Sequence, residues 1–358
     1  MRHARLRRSG RKRGFVLVTT AISLVGLLGL IGLGTDVGRI YVARNELQVF
    51  ADEAALAAGF ELDGTLNGIQ RARDVGKAGP GSGTAVNHWN FGTQTVSNVT
   101  TQFATDPHGI FIDTPASGTG YRFIKVQATA SVKLYFLPVV PGISRTQLVT
   151  ASSIAGQCQQ EALGDGLAPF SPDAHDPLSP SFGFTSGQLY TLRWAPPGQR
   201  NKESGNCPGD IGYDPNGTGD RGYIDVGQGS GNAGLRDAIV NNTYNLTPPL
   251  EVGDTITEVD GQKAVNAAMT ERFGQDSDLQ AATFSQYHGN GRRLFTVAVN
   301  DAGTPSKIVG FALFFLQPSP CGTKNTSACC AEYVGSAVTG STRKGAAASG
   351  LFAVQLVQ

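Results

Sequence analysis

The feature that most constrains this chain is an uncharged apolar run near its N-terminus. From Phe15 to Thr35, 21 residues carry no charge. At about 1.5 Å per residue they form roughly 31 Å of helix, the thickness of a bilayer's hydrocarbon core. A cleaved secretory signal would need a shorter apolar region and a small-residue cleavage site, whereas here helical periodicity continues past Asp36. The run therefore predicts a retained transmembrane helix over residues 15–35.

The charges on either side of this run predict its orientation. The preceding tail, residues 1–14, has no acidic residue and seven basic ones: Arg2, Arg5, Arg7, Arg8, Arg11, Lys12 and Arg13. The residues that follow the run carry charges of both signs: Asp36, Arg39, Arg44 and Glu46. By the positive-inside rule the tail is cytoplasmic and residues 36–358 are exported. Beside a membrane span, a basic tail indicates topology rather than nucleic-acid binding or nuclear targeting.

Composition is consistent with an ordinary exported surface. Beyond the tail, the chain has 22 basic residues and all 28 of its acidic residues. This balance does not indicate a nucleic acid or another polyanion as partner. Glycine occurs 47 times and charged residues make up only 16% of the chain. This balance favours a loop-rich, β-containing protein over a helical bundle.

The five cysteines all follow the apolar run, in a compartment that permits oxidation. At least one must stay unpaired. Adjacent Cys329 and Cys330 are poor partners for each other, so we expect one of them to pair with Cys321 or with a distant cysteine, Cys158 or Cys207. No histidine lies at ligand spacing from a cysteine, so the sequence predicts no metal and no other cofactor.

Beyond the span, the periodicity predicts an amphipathic stalk helix. Positions at the spacing of one helix face are apolar or carry a long aliphatic stem: Val37, Ile40, Tyr41, Arg44, Leu47, Ala51, Ala54, Ala55 and Ala58. The alanines allow another element to approach closely. The glycines of the span, Gly26, Gly29, Gly32 and Gly34, have two readings: a smooth face for a partner helix, or the glycine content common in membrane helices.

The order of these features resembles a known family. Basic residues, an apolar span, Asp36, Arg44 and the motif LQVFADEAALAAG follow one another, as in the N-terminal domain of TadG-type proteins of the Flp pilus, or tight-adherence, assembly system. The matching motif positions are Leu47, Gln48, Ala51, Asp52, Ala54, Ala55, Leu56, Ala57 and Ala58. A strand, FLPVVPGIS and a further strand extend the similarity to about residue 157. The resemblance implies a bacterial inner-membrane or envelope protein that takes part in building an adhesive pilus.

Two family features are missing. Larger members of the family carry a von Willebrand factor A type domain with a metal-binding Asp-x-Ser-x-Ser loop, and this motif does not occur in the chain. Related small pseudopilins are cut after a glycine that precedes a glutamate by five residues. Here Gly14 and Phe15 supply the cut, but Thr19 occupies the glutamate position. Neither metal-dependent adhesion nor processing as a pilin subunit is therefore expected.

The rest of the chain predicts an α+β fold. The stalk would pack on an antiparallel sheet of Val-, Thr- and Ile-rich strands within residues 36–157, after a charged helix near residues 66–77. Residues 158–181, rich in Pro, Gly and Asp, read as a linker. Residues 182–358 read as a second, β-rich exported α+β domain, with helices in LRDAIVNN and VNAAMTERFG. KIVGFALFFLQ is too short to span a bilayer and predicts a buried central strand.

Three local motifs were weighed as binding sites. DPNGTGDRGYID places Asp214, Asn216, Thr218, Gly219, Asp220 and Asp225 at calcium-loop spacing, but without flanking helices it reads first as a turn. LEVGDTITEVDGQKAV resembles the paired strands of a PDZ-type peptide-binding domain, although Asp-Gly hairpins are common. GQGSGNAG lacks the Lys-Ser/Thr ending of a phosphate loop.

The sequence nominates no catalytic, cofactor-binding or metal-binding residue. The histidines are scattered: His3, His88, His108, His175 and His288. We therefore expect a single-pass structural protein that acts through contacts with other pilus-assembly proteins and the bilayer, with its C-terminal domains in the periplasm. The alternative is an anchored peptide- or calcium-binding module unrelated to pilus biogenesis. An envelope hydrolase has no supporting motif.

Overall fold

The structure is a computed structural model of the full chain. It describes residues 12–79, 90–91, 94–139, 142–196, 206–211, 221–229, 231–242, 244–256, 259, 265–321, 327–347 and 349–357. The helices in these ranges are α1 (Lys12–Gly59), α2 (Leu66–Ala78), α3 (Asn232–Val240) and α4 (Val265–Gly274). The strands are β1 (Asn90–Phe91), β2 (Gln94–Ala104), β3 (Phe123–Lys133), β4 (Thr146–Gln159), β5 (Ala162–Asp165), β6 (Leu189–Arg193), β7 (Asn245–Glu251), β8 (Leu294–Asn300), β9 (Ile308–Phe315), β10 (Cys329–Tyr333), β11 (Ser336–Val338) and β12 (Gly350–Val357). The predicted α+β class is confirmed.

Helix α1 runs without a break for 48 residues and has two different halves. Over residues 15–35 almost every described side chain is exposed, and within the described ranges α1 alone is long and apolar enough to cross a membrane. From residue 43 onward one face of the same helix is buried. The apolar segment (residues 15–35) and the stalk (residues 36–59) are therefore parts of one continuous helix, despite the glycines near their junction.

The buried stripe of the stalk differs from the predicted stripe at its N-terminal end. Leu47 and the four predicted alanines are buried as expected, but Val37, Tyr41 and Arg44 are exposed. The buried positions are instead Asp36, Ala43, Leu47, Phe50, Ala51, Ala54, Ala55 and Ala58. The prediction followed apolar residues only. The observed buried face begins at Asp36 and is therefore rotated about the helix axis relative to the predicted face. As a result, Val37 and Tyr41 point away from the sheet.

The stalk packs on a mostly antiparallel sheet, as predicted. In the described part of the chain the strand order is β1-β2-β3-β4-β12-β11, and only the β11–β12 pair is parallel. Inward side chains of β2, β3 and β4, among them Val99, Val126 and Ala151, form one core with the stalk alanines and with Ile69 of α2. The small side chains allow α1 and α2 to approach each other closely. A Cβ atom added at Gly76 of α2 would lie 3.6 Å from the Cβ of Ala58 on α1.

A buried glutamine joins the end of the stalk to this sheet. The amide nitrogen of Gln157, on β4, donates hydrogen bonds to the carbonyls of Gly59 (3.0 Å) and Leu62 (2.7 Å), and its amide oxygen accepts one from the N–H of Ala346 (2.8 Å). The terminal carbonyls of a helix lack intrahelical partners. Gln157 therefore satisfies the C-terminus of α1 inside the core.

A second sheet has the order β6-β10-β9-β8 in the described chain. Strand β9 is buried along its length and lies between two neighbours, so KIVGFALFFLQ is confirmed as a central strand. One face of the sheet packs on α3 and α4 through Leu235, Ile239 and Met269. The opposite face packs on Phe284 and Tyr287. Both faces are covered, which explains the nearly continuous apolar sequence of β9.

Several elements were missed or shortened. GIFIDT and GYIDVG form single bridges, Phe103 to Ile112 and Phe170 to Tyr223, instead of strands. Strands β5, β10 and β11 were not predicted. All three are short, and β5 and β10 also pair with strands far away in sequence, so local pattern carries little signal for them. Strand β7 ends at Glu251 and pairs with β5, while the Asp-Gly turn of the PDZ-like segment lies outside the described residues.

The region predicted as a linker is ordered and partly buried. It contains the end of β4, all of β5, and the buried residues Leu167, Ala168 and Phe170. The last strand, β12, pairs with β4 from Ile154 to Gln159 and so returns to the first sheet. The division at residues 158–181 remains a prediction, and residues from both of its sides share one sheet.

The cysteines pair in a way that agrees with the sequence argument. Cys207 is bonded to Cys330, and Cys321 to Cys329, while Cys158 is free. Of the two adjacent cysteines, Cys330 thus pairs with the distant Cys207, and Cys329 pairs with the nearby Cys321. The bond between Cys207 and Cys330 joins residues 123 positions apart and ties the segment after β6 to strand β10 of the same sheet.

Candidate functional site

The most distinctive polar feature lies where the apolar segment ends. Asp36 is fully buried, although it directly follows the uncharged run. Its carboxylate accepts hydrogen bonds from three consecutive backbone N–H groups: Tyr135 at 3.0 Å, Phe136 at 2.8 Å and Leu137 at 2.7 Å. These donors belong to the turn after β3, which leads into a short 3-10 helix over Leu137–Val139. Asp36 thus supplies, from another helix, the acceptor that free N–H groups at a helix start require.

The environment keeps this carboxylate ionised. Burial alone would raise the pKa of Asp36, but the hydrogen bonds from Leu137, Tyr135 and Phe136, with the positive charge of Arg39, outweigh burial and hold the pKa below its ordinary value. The guanidinium of Arg39 also lies 4.9 Å from the ring centroid of Tyr135. The carboxylate is therefore held in the charged form that accepts the N–H groups of the turn.

The turn also contacts the apolar segment itself. Phe136 packs directly on the face of Gly32, where an added Cβ would collide with the phenyl side chain. Gly26, Gly29 and Gly34 have no protein atom within 4 Å of an added Cβ. Only Gly32, among these four, is therefore explained by packing within the chain, and the other three leave an open helix face.

The turn belongs to an uncharged stretch, residues 134–144, between Lys133 and Arg145. Its described residues, 134–138 and 142–144, are called the apolar loop below. Large side chains of the loop stay partly exposed: Tyr135 at 55%, Phe136 at 45% and Ile143 at 40%. At its base the N–H of Leu134 donates to the carbonyl of Arg145 (2.9 Å), so the loop closes as a hairpin end. An exposed apolar surface of this kind, beside an apolar helix, indicates an interaction site.

The exposed face of the stalk is a second apolar surface. Val37, Tyr41, Val42 and Val49 are each 46–66% exposed on the side of α1 that does not face the sheet. Two of these residues, Val37 and Tyr41, belong to the stripe that was predicted to be buried. A helix that also carries exposed apolar residues on the side away from its sheet can offer that side to another protein.

Other polar clusters have structural roles. His175 pairs with Asp210 at 2.8 Å, and the second carboxylate oxygen of Asp210 accepts the N–H of Thr191 at 2.6 Å. The imidazole packs edge-on against Phe184 and Tyr190. The pair thus links the segment before β6 to β6 itself, a contact that the sequence did not predict because its partners are 35 residues apart.

Buried arginines likewise satisfy backbone groups. Arg293 donates to the carbonyls of Leu316, Asp278 and Ala281, and Arg272 to those of Ile239, Leu294 and Arg292. Burial, together with the charge of Arg292, lowers the pKa of Arg272 to about 10. All three nitrogens of each guanidinium donate to main-chain carbonyls, so each cation supports loop conformation.

The residues weighed as a calcium loop are mostly outside the described ranges: Asp214, Asn216, Thr218, Gly219 and Asp220. Asp225 is described, and its carboxylate caps the N–H groups of Gly227 and Gly229, as a turn residue does. Among the described residues, no group of three or more His, Cys, Asp or Glu side chains could hold a metal ion.

The sequence missed the attachment by Asp36. It marked Asp36 as a charge behind the span and as part of a family pattern, but gave no partner 101 residues away. Two signals were present: one carboxylate directly after an uncharged run, and a second uncharged stretch, residues 134–144, between two strands. Only the topology brings them together.

The comparisons with known proteins bear on the segment that contains this junction. Residues 14–64 match a family model described as "Putative Flp pilus-assembly TadE/G-like". The suspected resemblance of the N-terminal domain is therefore confirmed for these residues. No curated protein and no solved structure matches the chain.

Proposed function

We propose, from the TadE/G-like character of residues 14–64, that this protein is a membrane-anchored accessory component of Flp pilus assembly. It acts through protein contacts and catalyses no reaction. Its partners are other pilus-assembly proteins of the inner membrane or envelope and the lipid bilayer, with no nucleic acid. The tail, residues 1–14, lies in the cytoplasm, residues 15–35 span the inner membrane once, and residues 36–358 are extracytoplasmic.

The observation that carries this proposal is the continuity of α1. The family-matched segment contains both the apolar segment and the stalk, and the stalk is the central helix of the first core. An element that spans a bilayer and also forms the core of a folded domain holds that domain at a fixed place on the membrane. This arrangement suits a protein that holds other proteins in place at the membrane. The specificity of such a protein resides in its exposed surfaces rather than in a reactive cleft.

The domain assignment within this proposal follows the sequence. Residues 36–157 form the TadG-like unit and residues 182–358 a second β-rich unit, with residues 158–181 between them. The pairing of β12 with β4 supports a fixed attachment of the two, since the second unit contributes a strand to the sheet of the first. The exposed stalk face, Val37, Tyr41, Val42 and Val49, is the surface proposed for pilus-assembly partners.

Deletion of the gene in its source bacterium tests the function. The expected result is loss of Flp pili in electron micrographs and recovery with a plasmid copy of the full chain. Replacement of Tyr41 and Val49 by aspartate should fail to restore pili, whereas Ile110→Asp and Leu178→Asp, at exposed apolar residues remote from α1, should restore them. Normal pili in the deletion strain would contradict the proposal.

Membrane anchoring is tested separately by alkaline carbonate extraction. The full chain should remain in the membrane pellet, and a chain without residues 1–35 should be released, because loss of the span removes roughly 31 Å of apolar helix. A protease-sensitive tag at the C-terminus should be cleaved in spheroplasts but not in intact cells. A full-length chain recovered in the cytosol would contradict the anchor.

A further inference from the structure

We propose that the apolar loop enters the membrane beside α1 and gives the protein a second contact with the bilayer. The occupant of this exposed apolar surface is therefore phospholipid of the leaflet that faces the exported domain. The inference rests on the proposed span of residues 15–35 and goes beyond it, since a single-pass anchor alone needs no other inserted element.

The first argument is depth. Phe136 packs on Gly32, which precedes Asp36 by four residues. At about 1.5 Å per residue the phenyl ring lies roughly 6 Å inside the end of the apolar segment. If residues 15–35 occupy the hydrocarbon core, a side chain at the level of Gly32 lies in that core as well. The contact therefore fixes where the loop stands relative to the bilayer.

The second argument concerns backbone groups. Unpaired backbone N–H groups are costly in hydrocarbon, so partners within the protein favour the entry of a loop. Asp36 accepts the N–H groups of Tyr135, Phe136 and Leu137, and Leu134 donates to the carbonyl of Arg145. These four consecutive N–H groups are thus satisfied without water. An acidic residue at the end of a span serves this purpose better than a neutral one, because charged acceptors bind N–H groups more strongly.

The third argument is the distribution of charge and aromatic residues. The stretch of residues 134–144 has no charge, and exposed Lys133 and Arg145 stand at its two ends. The pairing of Lys133 with Thr146, next to Arg145, brings both cations to the base of the loop. Tyrosine and long cationic side chains are favoured at the level of lipid headgroups, with the cations near phosphate oxygens. The apolar and aromatic side chains of the loop and the cations at its base follow the profile of a bilayer interface.

Two membrane contacts would fix the orientation of the exported sheet. A single helix leaves the domain free to rotate about the helix axis and to tilt. The loop, held to α1 by Asp36 and continuous with β3 and β4, removes that freedom because both ends of the loop are strands of the sheet. The exposed stalk face is then presented in one direction along the membrane plane.

Fluorescent labels on the full chain test the insertion. The free thiol is removed by Cys158→Ser, and an environment-sensitive nitrobenzoxadiazole label is placed by Ile143→Cys in the loop. The control is Ile110→Cys, an 87% exposed residue between β2 and β3 at the far end of β3, about 36 Å away. Val25→Cys reports on the span. Each protein is reconstituted in vesicles of phosphatidylethanolamine and phosphatidylglycerol, with doxyl lipids or aqueous iodide as quenchers.

We expect the labels at Ile143 and Val25 to be quenched by doxyl lipids at least twofold more than the label at Ile110, and iodide to quench only Ile110 strongly. Strong iodide quenching at Ile143, with Val25 still quenched by lipid, would overturn the loop inference and leave the span intact. Iodide quenching at both Ile143 and Val25 would overturn the span and the loop inference together. Because Ile143 is partly exposed, its substitution leaves the cores untouched.

Discussion

Asp36 and Leu137 are joined by a 2.7 Å hydrogen bond across 101 residues of sequence, from the end of an apolar helix to the turn after β3. The carboxylate belongs to the family-matched segment, whereas the turn lies beyond it. The bond is one of the contacts that hold the N-terminal helix to the sheet.

Asp36→Ala should detach the turn from α1. The substitution leaves the N–H groups of Tyr135, Phe136 and Leu137 without their acceptor, which we expect to cost about 2 kcal/mol locally and to speed their hydrogen exchange roughly 30-fold. Hydrogen exchange of the detergent-solubilised chain, followed by mass spectrometry, measures this. Glu53→Ala, at an exposed carboxylate of the same helix, should leave exchange in residues 134–138 unchanged. Equal protection in Asp36→Ala would show that other contacts hold the turn.

The attachment should also depend on pH in a defined direction. The pKa of Asp36 is lowered in the folded protein, so its stabilising effect is present above the pKa of an unfolded aspartate, roughly 3.9, and is lost as the pH falls through the lower folded value. A spin label at Ile143→Cys in Cys158→Ser should therefore keep the same mobility from pH 7 to about 5 and become mobile only below about 4. In Asp36→Asn the mobility should not change with pH. A transition near pH 6 would point to another group.

Ala58→Gln should loosen the stalk from the sheet. Ala58 of α1 is fully buried in the core that α1 shares with α2 and the first sheet, and a longer polar side chain there both overfills the core and lacks a hydrogen-bond partner. We expect a loss of at least about 2 kcal/mol in the free energy of unfolding. Limited proteolysis of the membrane-bound chain, compared with Ala57→Gln on the partly exposed side of the same turn, measures the effect. Equal resistance of the two variants would refute the docking of the alanine face.

The thiol count tests the exported topology. With Cys207 bonded to Cys330 and Cys321 to Cys329, the protein denatured without reductant should react with one equivalent of maleimide, and Cys158→Ser with none. Loss of the Cys207 to Cys330 bond in the double serine variant should reduce stability by about 2–5 kcal/mol, since the bond restricts a long unfolded loop. Five reactive thiols in protein isolated from cells would place residues 36–358 in a reducing compartment.

Local pattern alone was enough for several elements. The length and lack of charge of residues 15–35 predict the apolar half of α1. The alanine spacing predicts the C-terminal part of the stalk's buried face, at Ala54 and Ala58. Alternation and β-branching predict β2, β3, β4, β8 and β9, and a continuous apolar run predicts that β9 is central. Each of these signals depends on residues a few positions apart, because helix and strand periodicities repeat over short distances.

Tertiary structure decided what lies between those elements. The buried face of the stalk near Asp36, the return of β12 to the first sheet, and the bridging of Gly59 and Ala346 by Gln157 all join residues about 100 or more positions apart. Whether Val37 or Asp36 faces the core depends on which N–H groups the fold brings near, and no local period contains that information. The sequence therefore determined that the chain has an apolar helix leading into a sheet. Only the fold could show that a carboxylate at the end of that helix holds an apolar loop beside it, because burying a charge is favourable only where distant donors have already been brought together.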